Sequence, residues 1–395
     1  MSSPLTHRRH LSSLDGLRGI AVTLVFLFHY YPRNRFDPIS PVASSGWLGV
    51  DLFFVLSGFL ITGILLDTRQ QPYYFRNFYS RRALRLFPVY IVFCIVVLAV
   101  SYAFGERPTR YTLPFLLYGS NLLSGQHLNL GVGGVLQLGH LWSLALEEQF
   151  YLLWPLALYL LRTPRKIFWG CVCGIVFSAT LRWMPLPWDA WNLPPYSQLP
   201  TRMDSLLSGG LLALAFRNEH AMSRITPARA RRMAWACGAI LLASMLSSRT
   251  LHWTGWYTLR IGYFFAALLF VAVITLTIEE GTLLHRIGGL PALRFLGRYS
   301  YGLYLWHQLP DRWVQHMLRT LEPRSHLLNV AYFAAVFLAC VAWAVLSYHC
   351  IELPFLKLKN RFAYSDEKKA HRVVVDQNNT EPVNAGERTP TTGLQ

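Results

Sequence analysis

Arg18 and His29 lie eleven residues apart in the first long apolar run of the chain, LDGLRGIAVTLVFLFHYY. Charge in hydrocarbon is expensive, so an ionisable group kept inside such a segment points to function. At about 100° per residue the two positions come within about 20° of the same helix face, roughly 16 Å apart along the axis. A guanidinium at one depth and an imidazole at another suit an enzyme that holds an anionic donor and moves a proton at its far end.

Three further groups carry chemistry. The segment GWLGVDLFFVLSGFLITGILL places Asp51 and Ser57 in an apolar helix whose Gly46, Gly49, Gly58 and Gly63 permit close helix approach. Asp51 suits either an acid–base role or an interhelical bond. The run FRNFYSRRALRLFPVY holds arginines and no lysine. Its Arg82 and Arg85, three apart, share a face, and guanidinium pairs bind phosphate oxygens, while Pro88 is positioned to break or kink the helix. In HLWSLALEEQFYLLWP, Ser143, Glu147 and Tyr151 recur every fourth residue with Glu148 beside them. Such paired acids serve either catalysis or a buried salt bridge to an arginine such as Arg18. Counting residues from each surface puts His29, Asp51 and Glu147 at a similar depth in the outer third, with Arg18, Arg82 and Arg85 in the inner third.

Later polar residues read more plainly. Arg202 and Asp204 suggest a local ion pair or a polar rim. His307, on one stripe with Ser300 and Tyr304, suggests a structural hydrogen bond, and Glu352 an anchor near the cytoplasm.

The elements that must hold these groups are membrane helices. The chain is 53% hydrophobic and 14% charged, against about a quarter charged in a soluble domain. The expected fold class is all-α, a polytopic membrane helix bundle of about ten transmembrane helices: 14–31, 47–66, 86–104, 141–161, 166–184, 203–216, 233–247, 259–278, 299–318 and 328–350. The stretch 113–123 reads as a partly inserted loop. The net charge of +17 is compatible with nucleic acid, but its distribution follows topology. Twenty-one lysines and arginines fall in the N-terminal segment and the loops on its side, including Arg8, Arg9 and Arg81, and seven, such as Arg33, fall in the others. That positive-inside bias puts both termini in the cytoplasm and makes the lipid bilayer, with no nucleic acid, the expected partner. Residues 1–12 form a cytoplasmic N-terminal segment, 13–355 the membrane domain, and 356–395 a polar cytoplasmic tail expected to be disordered. The six cysteines have no redox or metal spacing, and no ligand cluster for a metal is evident.

Taken in order, LDGLRGIAV with its distant histidine, GWLGVDLFFVLSGFLIT, FYSRRALRLFPVY, LWSLALEEQFYLLWP and GRYSYGLYLWH resemble the bacterial acyltransferase-3 family over about residues 12–355. The resemblance implies transfer of acyl groups, commonly acetyl from acetyl-CoA, to sugars of cell-envelope glycans or similar acceptors, at the bacterial inner membrane. The family's arginine–histidine pair maps onto Arg18 and His29, its arginine motif onto Arg82 and Arg85, and its acidic motif onto Glu147 and Glu148. Some relatives add an SGNH-type hydrolase domain. The tail here is too short for one, so the membrane core is expected to act alone.

The expected mechanism docks the acyl-CoA phosphates on Arg82, Arg85 and Arg18 and brings the thioester towards His29. His29 then serves as general base, with Glu147 orienting it, or forms a transient acyl-histidine. No metal is required. Two alternatives are a membrane transporter of an acylated or anionic small molecule, though no repeated halves are visible, and a different membrane O-acyltransferase that relies on a late-span histidine such as His307. Acceptor contacts are expected in loops 105–140 and 185–201, where Tyr111, Tyr118, Trp188, Trp191 and Tyr196 suit either sugar stacking or interface anchoring.

Overall fold

A computed structural model describes residues 11–31, 38–105, 107, 112–123, 138–184, 194–248, 254–309 and 326–362. Arg8, Arg9, Arg33, Tyr111, Trp188, Trp191 and the tail beyond 362 lie outside the described residues. Among those described, all regular structure is helical.

The long helices are α1 (Ser12–Tyr30), α2 (Leu48–Thr68), α3 (Tyr74–Ala103), α4 (Leu141–Leu161), α5 (Pro164–Trp183), α6 (Leu199–Ala215), α7 (Pro227–Ser248), α8 (Tyr263–Ile278), α9 (Pro291–Trp306) and α10 (His326–Ser347). A π-turn, Thr258–Gly262, leads into α8, and another, Tyr348–Glu352, extends α10. Among the described residues, four helical stretches are long and apolar enough to cross a membrane by length and composition: Leu48–Thr68, Tyr74–Ala103, Thr258–Ile278 and His326–Leu358. Ile91, Ile95, Leu152, Leu160, Val176 and Leu338 are exposed on helix flanks, the apolar face that a lipid solvent requires.

Several boundaries differ from expectation: α6, α7 and α9 start four, six and eight residues before their predicted spans, at Leu199, Pro227 and Pro291. Helix α3 starts at Tyr74, twelve residues before the predicted span, and runs through Pro88 without breaking. One missing N–H removes one intrahelical bond, a loss that a long, packed helix absorbs. The stretch around 113–123 forms two short turns, Thr112–Leu116 and Ser120–Leu122.

Glycines set the packing order. A Cβ on Gly19 would come within 2.1 Å of the Leu293 carbonyl oxygen in α9, and one on Gly297 within 1.8 Å of the Asp15 carbonyl in α1. On the other flank of α1, Gly46 and Gly49 press on the carbonyls of Leu24 and Ala21. Helices α2 and α6 meet through Gly58 against Leu206 and Gly209 against Val55. Backbones this close leave no room for a side chain, as at small-residue interfaces in membrane bundles. Helix α1 is therefore clamped between α9 and α2, and its last turn is held against the end of α9.

Candidate active site

Five polar side chains, His29, His140, His307, Asp51 and Arg202, come from helix ends at one pole of the bundle. His29 is in the last turn of α1, His140 caps the start of α4, and His307 caps the end of α9. Asp51 and Arg202 sit in the first turns of α2 and α6. All but His307 line a cavity of about 290 Å³, with Trp47, Trp142, Tyr196, Tyr263, Tyr304 and Gln308 among its walls.

The His29 Nδ1 lies 2.9 Å from the Val25 carbonyl oxygen. A carbonyl only accepts, so Nδ1 carries the proton and Nε2 is the nitrogen able to take another. The His307 ring is 4.9 Å from that of His29 and 4.8 Å from that of His140. His307 is wholly buried; its Nδ1 donates to the Tyr304 carbonyl at 2.6 Å, and its Nε2 has no hydrogen-bond partner among the described residues. His140 directs Nδ1 at Gln308 Oε1 (2.7 Å) and Nε2 at the Leu305 carbonyl (3.1 Å). As a neutral imidazole His140 donates from one of these nitrogens only, and no three-residue metal cluster occurs among the described residues.

Asp51 takes part in an interhelical pair. Its Oδ1 accepts from Arg202 Nη2 at 2.7 Å and from Ser205 Oγ at 3.2 Å. The Arg202 guanidinium lies 3.5 Å above the centre of the Tyr263 ring. The expected local pair between Arg202 and Asp204 does not form. Residues two apart on a helix face different ways, and Asp204 instead pairs with Arg182 of α5 at 2.7 Å, both fully buried.

The opposite pole holds a second cavity of about 350 Å³, lined by Arg18, Arg82, Arg85, Glu147, Glu148, Ser57 and Tyr151. Arg18 pairs with Asp15 at 3.0 Å. The Arg82 guanidinium stacks 3.8 Å above the Tyr151 ring, and the Tyr151 hydroxyl donates to Glu147 Oε1 while also bonding Ser57 Oγ. The three predicted arginines thus share one cavity. His29 and Asp51 share the other. Glu147, expected at the depth of His29, lines the arginine cavity instead. Helix α1 ends one residue after His29, whereas Glu147 is about 9 Å along α4 from its start. Glu352 is buried against Gly302 with Arg85 as a charged neighbour, rather than at a free helix end.

Val50 and Tyr304 line both cavities. The Tyr304 hydroxyl donates to the His140 carbonyl at 3.2 Å and bonds Ser143 Oγ, closing the partition from the α4 side. Sequence reasoning did not single out His140, although it opens the acidic motif; nor did it find the Arg202 partnership, which has no local signal. Tyr118, weighed as a sugar contact, stacks on Tyr90 at 3.8 Å and lines neither cavity.

The profile of the acyltransferase-3 family, described as an Acyltransferase domain, matches residues 11–349. The peptidoglycan O-acetyltransferase OatA of Listeria monocytogenes is 31% identical over 368 residues, covering 89% of this chain and 56% of the relative. The putative peptidoglycan O-acetyltransferase YrhL of Bacillus subtilis is 30% identical, covering 93% and 58%. A putative O-acetyltransferase of Staphylococcus aureus strain COL is 29% identical, covering 88% and 58%. The chain therefore spans less than three fifths of the length of these relatives. No solved structure matches it. Through its five ordered motifs and a match from residue 11 to residue 349, the chain belongs to the acyltransferase-3 family of membrane proteins.

Proposed function

We propose that the protein is an integral membrane O-acyltransferase that moves an acetyl group from acetyl-CoA to a hydroxyl of a cell-wall or related cell-envelope glycan. One observation carries the reading: an arginine-lined cavity and a histidine-lined cavity open from opposite poles and share the wall of Val50 and Tyr304. A donor with phosphates fits the first and a neutral hydroxyl acceptor the second, and their reacting ends meet at the partition. The names of the Listeria and Bacillus relatives support the glycan acceptor and the acetyl group. The arginine pole also gathers Arg69, Arg162 and Arg217, which supports a cytoplasmic position for it in a bacterial inner membrane, with both termini on that side.

In this mechanism Arg82 and Arg85, with Arg18, hold the donor phosphates by paired guanidinium bonds. The His29 Nε2 takes the proton of the acceptor hydroxyl as that oxygen attacks the thioester carbonyl carbon. The C–S bond breaks, the new C–O bond completes the ester, and the proton passes from His29 to the departing thiolate. Enclosure between the two cavities supplies proximity and keeps water out.

The test is CoA release from acetyl-CoA by purified protein with a cell-envelope glycan extract, for wild type and His29→Ala. Glycan-dependent release that disappears in the variant is expected. Release unaffected by the substitution removes His29 from the chemistry, and no release with any acyl-CoA overturns the donor assignment.

A further inference from the structure

The histidine-pole cavity contains a buried ion pair that leaves part of its bonding capacity unused. Asp51 Oδ2, Arg202 Nε and Arg202 Nη1 have no hydrogen-bond partner among the described residues, although both residues are at least 99% buried. Unpaired polar atoms at such depth are costly, and these belong to two residues that line the cavity where His29 also stands. Much of the remaining wall is aromatic. Trp142 and Tyr196 meet edge to face at 5.6 Å, and Trp47 and Tyr263 do the same at 5.3 Å.

The unused groups define what the cavity accepts. Arg202 offers donors and Asp51 an acceptor, side by side. A carboxylate or phosphate ligand would gain from Arg202 and be repelled by Asp51, and an amine would meet the reverse. A hydroxyl both donates and accepts, so one or two neighbouring hydroxyls satisfy both residues at once. Aromatic walls complement the C–H face of a pyranose ring, and a volume of about 290 Å³ is at the small end for ligand sites, enough for one ring and little more.

We propose that Asp51, Arg202, Trp142 and Tyr196 form a subsite for one neutral, hydroxyl-bearing sugar ring, which presents the acceptor hydroxyl to His29. This rests on the proposed O-acyl transfer, and it narrows the acceptor to an uncharged ring at the point of reaction.

The experiment is titration calorimetry of full-length protein in lipid nanodiscs with tetra-N-acetylchitotetraose as neutral probe, a galacturonic acid tetramer as anionic probe, and CoA added separately. Wild type is expected to bind the neutral probe in preference to the anionic one. Asp51→Asn and Tyr196→Ala are each expected to weaken neutral-probe binding at least tenfold while CoA affinity stays within twofold. Tyr196 is only partly buried, so its variant separates loss of a contact from loss of the fold. Neutral-probe binding unaffected by both substitutions, or tighter binding of the anionic probe, overturns the subsite. Absence of neutral-probe binding while CoA binds does the same and leaves the acyl-transfer reading standing. Probe binding lost in both variants, with no CoA binding to wild type, supports the subsite and overturns the donor assignment.

Discussion

The imidazole of His307 packs 4.9 Å from that of His29, although 278 positions separate them in the chain. The contact exists because Gly19 and Gly297 let α1 and α9 approach backbone to backbone, which brings the last turn of one beside the final residue of the other. His29 donates from Nδ1 to its own helix. His307 packs against that ring from the side, and its Nε2 is unpartnered among the described residues. In the proposed mechanism His29 is the base and His307 a positioning residue.

Replacing His29 with Gln removes the proposed base and keeps a similar size. CoA release in the presence of glycan should fall at least about 100-fold, within the range expected for a lost general base. Calorimetric affinity for CoA should stay within twofold, because His29 does not line the arginine cavity. Equal loss of CoA binding would place His29 in the donor site instead.

His307→Phe keeps a ring against Phe26 and His29 and removes both nitrogens. We expect kcat to drop about tenfold with the KM for acetyl-CoA unchanged, a modest effect on the scale of acid–base catalysis. An inactive His307→Phe together with an active His29→Gln would reverse the roles and favour the late-histidine class of membrane acyltransferase.

Arg82→Lys is not conservative here, since a flat guanidinium stacks on Tyr151 and an ammonium cannot. For Arg82→Lys and Arg85→Gln, a rise of about 10- to 100-fold in the KM for acetyl-CoA is expected, matching about 1.5–3 kcal/mol for a charged hydrogen bond. Initial rates against donor concentration measure it. A change confined to kcat would argue against phosphate binding.

Gly297→Val forces a side chain into the Asp15 carbonyl and should cost at least about 1–3 kcal/mol of overpacking, seen as a lower unfolding temperature and loss of a monodisperse peak. Gly238→Ala is the matched control. A Cβ there meets nothing within 4 Å, and the unfolding temperature should hold. Similar behaviour of the two would mean that the α1–α9 contact is looser than described.

Arg182 and Asp204 are both fully buried. Arg182→Leu alone strands a carboxylate and should cost about 3–5 kcal/mol, whereas Arg182→Leu with Asp204→Leu should recover most of it. Thermal unfolding of both variants in detergent distinguishes these outcomes. A double variant no better than the single one would give the pair a role beyond charge balance.

Much of this architecture was legible in local sequence. Hydrophobic runs fixed where the helices lie to within a few residues for most elements, because burial in a membrane selects apolar side chains without reference to partners. The arginines of the 75–90 segment could be grouped for the same reason, since residues three apart share a face whatever surrounds them. Tertiary structure decided the rest. Depth counting put Glu147 level with His29, but the end of α1 and the start of α4 are set by how helices stack, and the two residues line different cavities. Proximity in sequence paired Arg202 with Asp204, yet helix geometry turned them apart and gave each a partner more than twenty residues or more than one hundred away. The three-histidine cluster left no local trace either. His29 stood out on its own in the first apolar run, but nothing local signals that His140 and His307 join it, and only contact between distant helices, a property of pairs of surfaces, brings the three rings together.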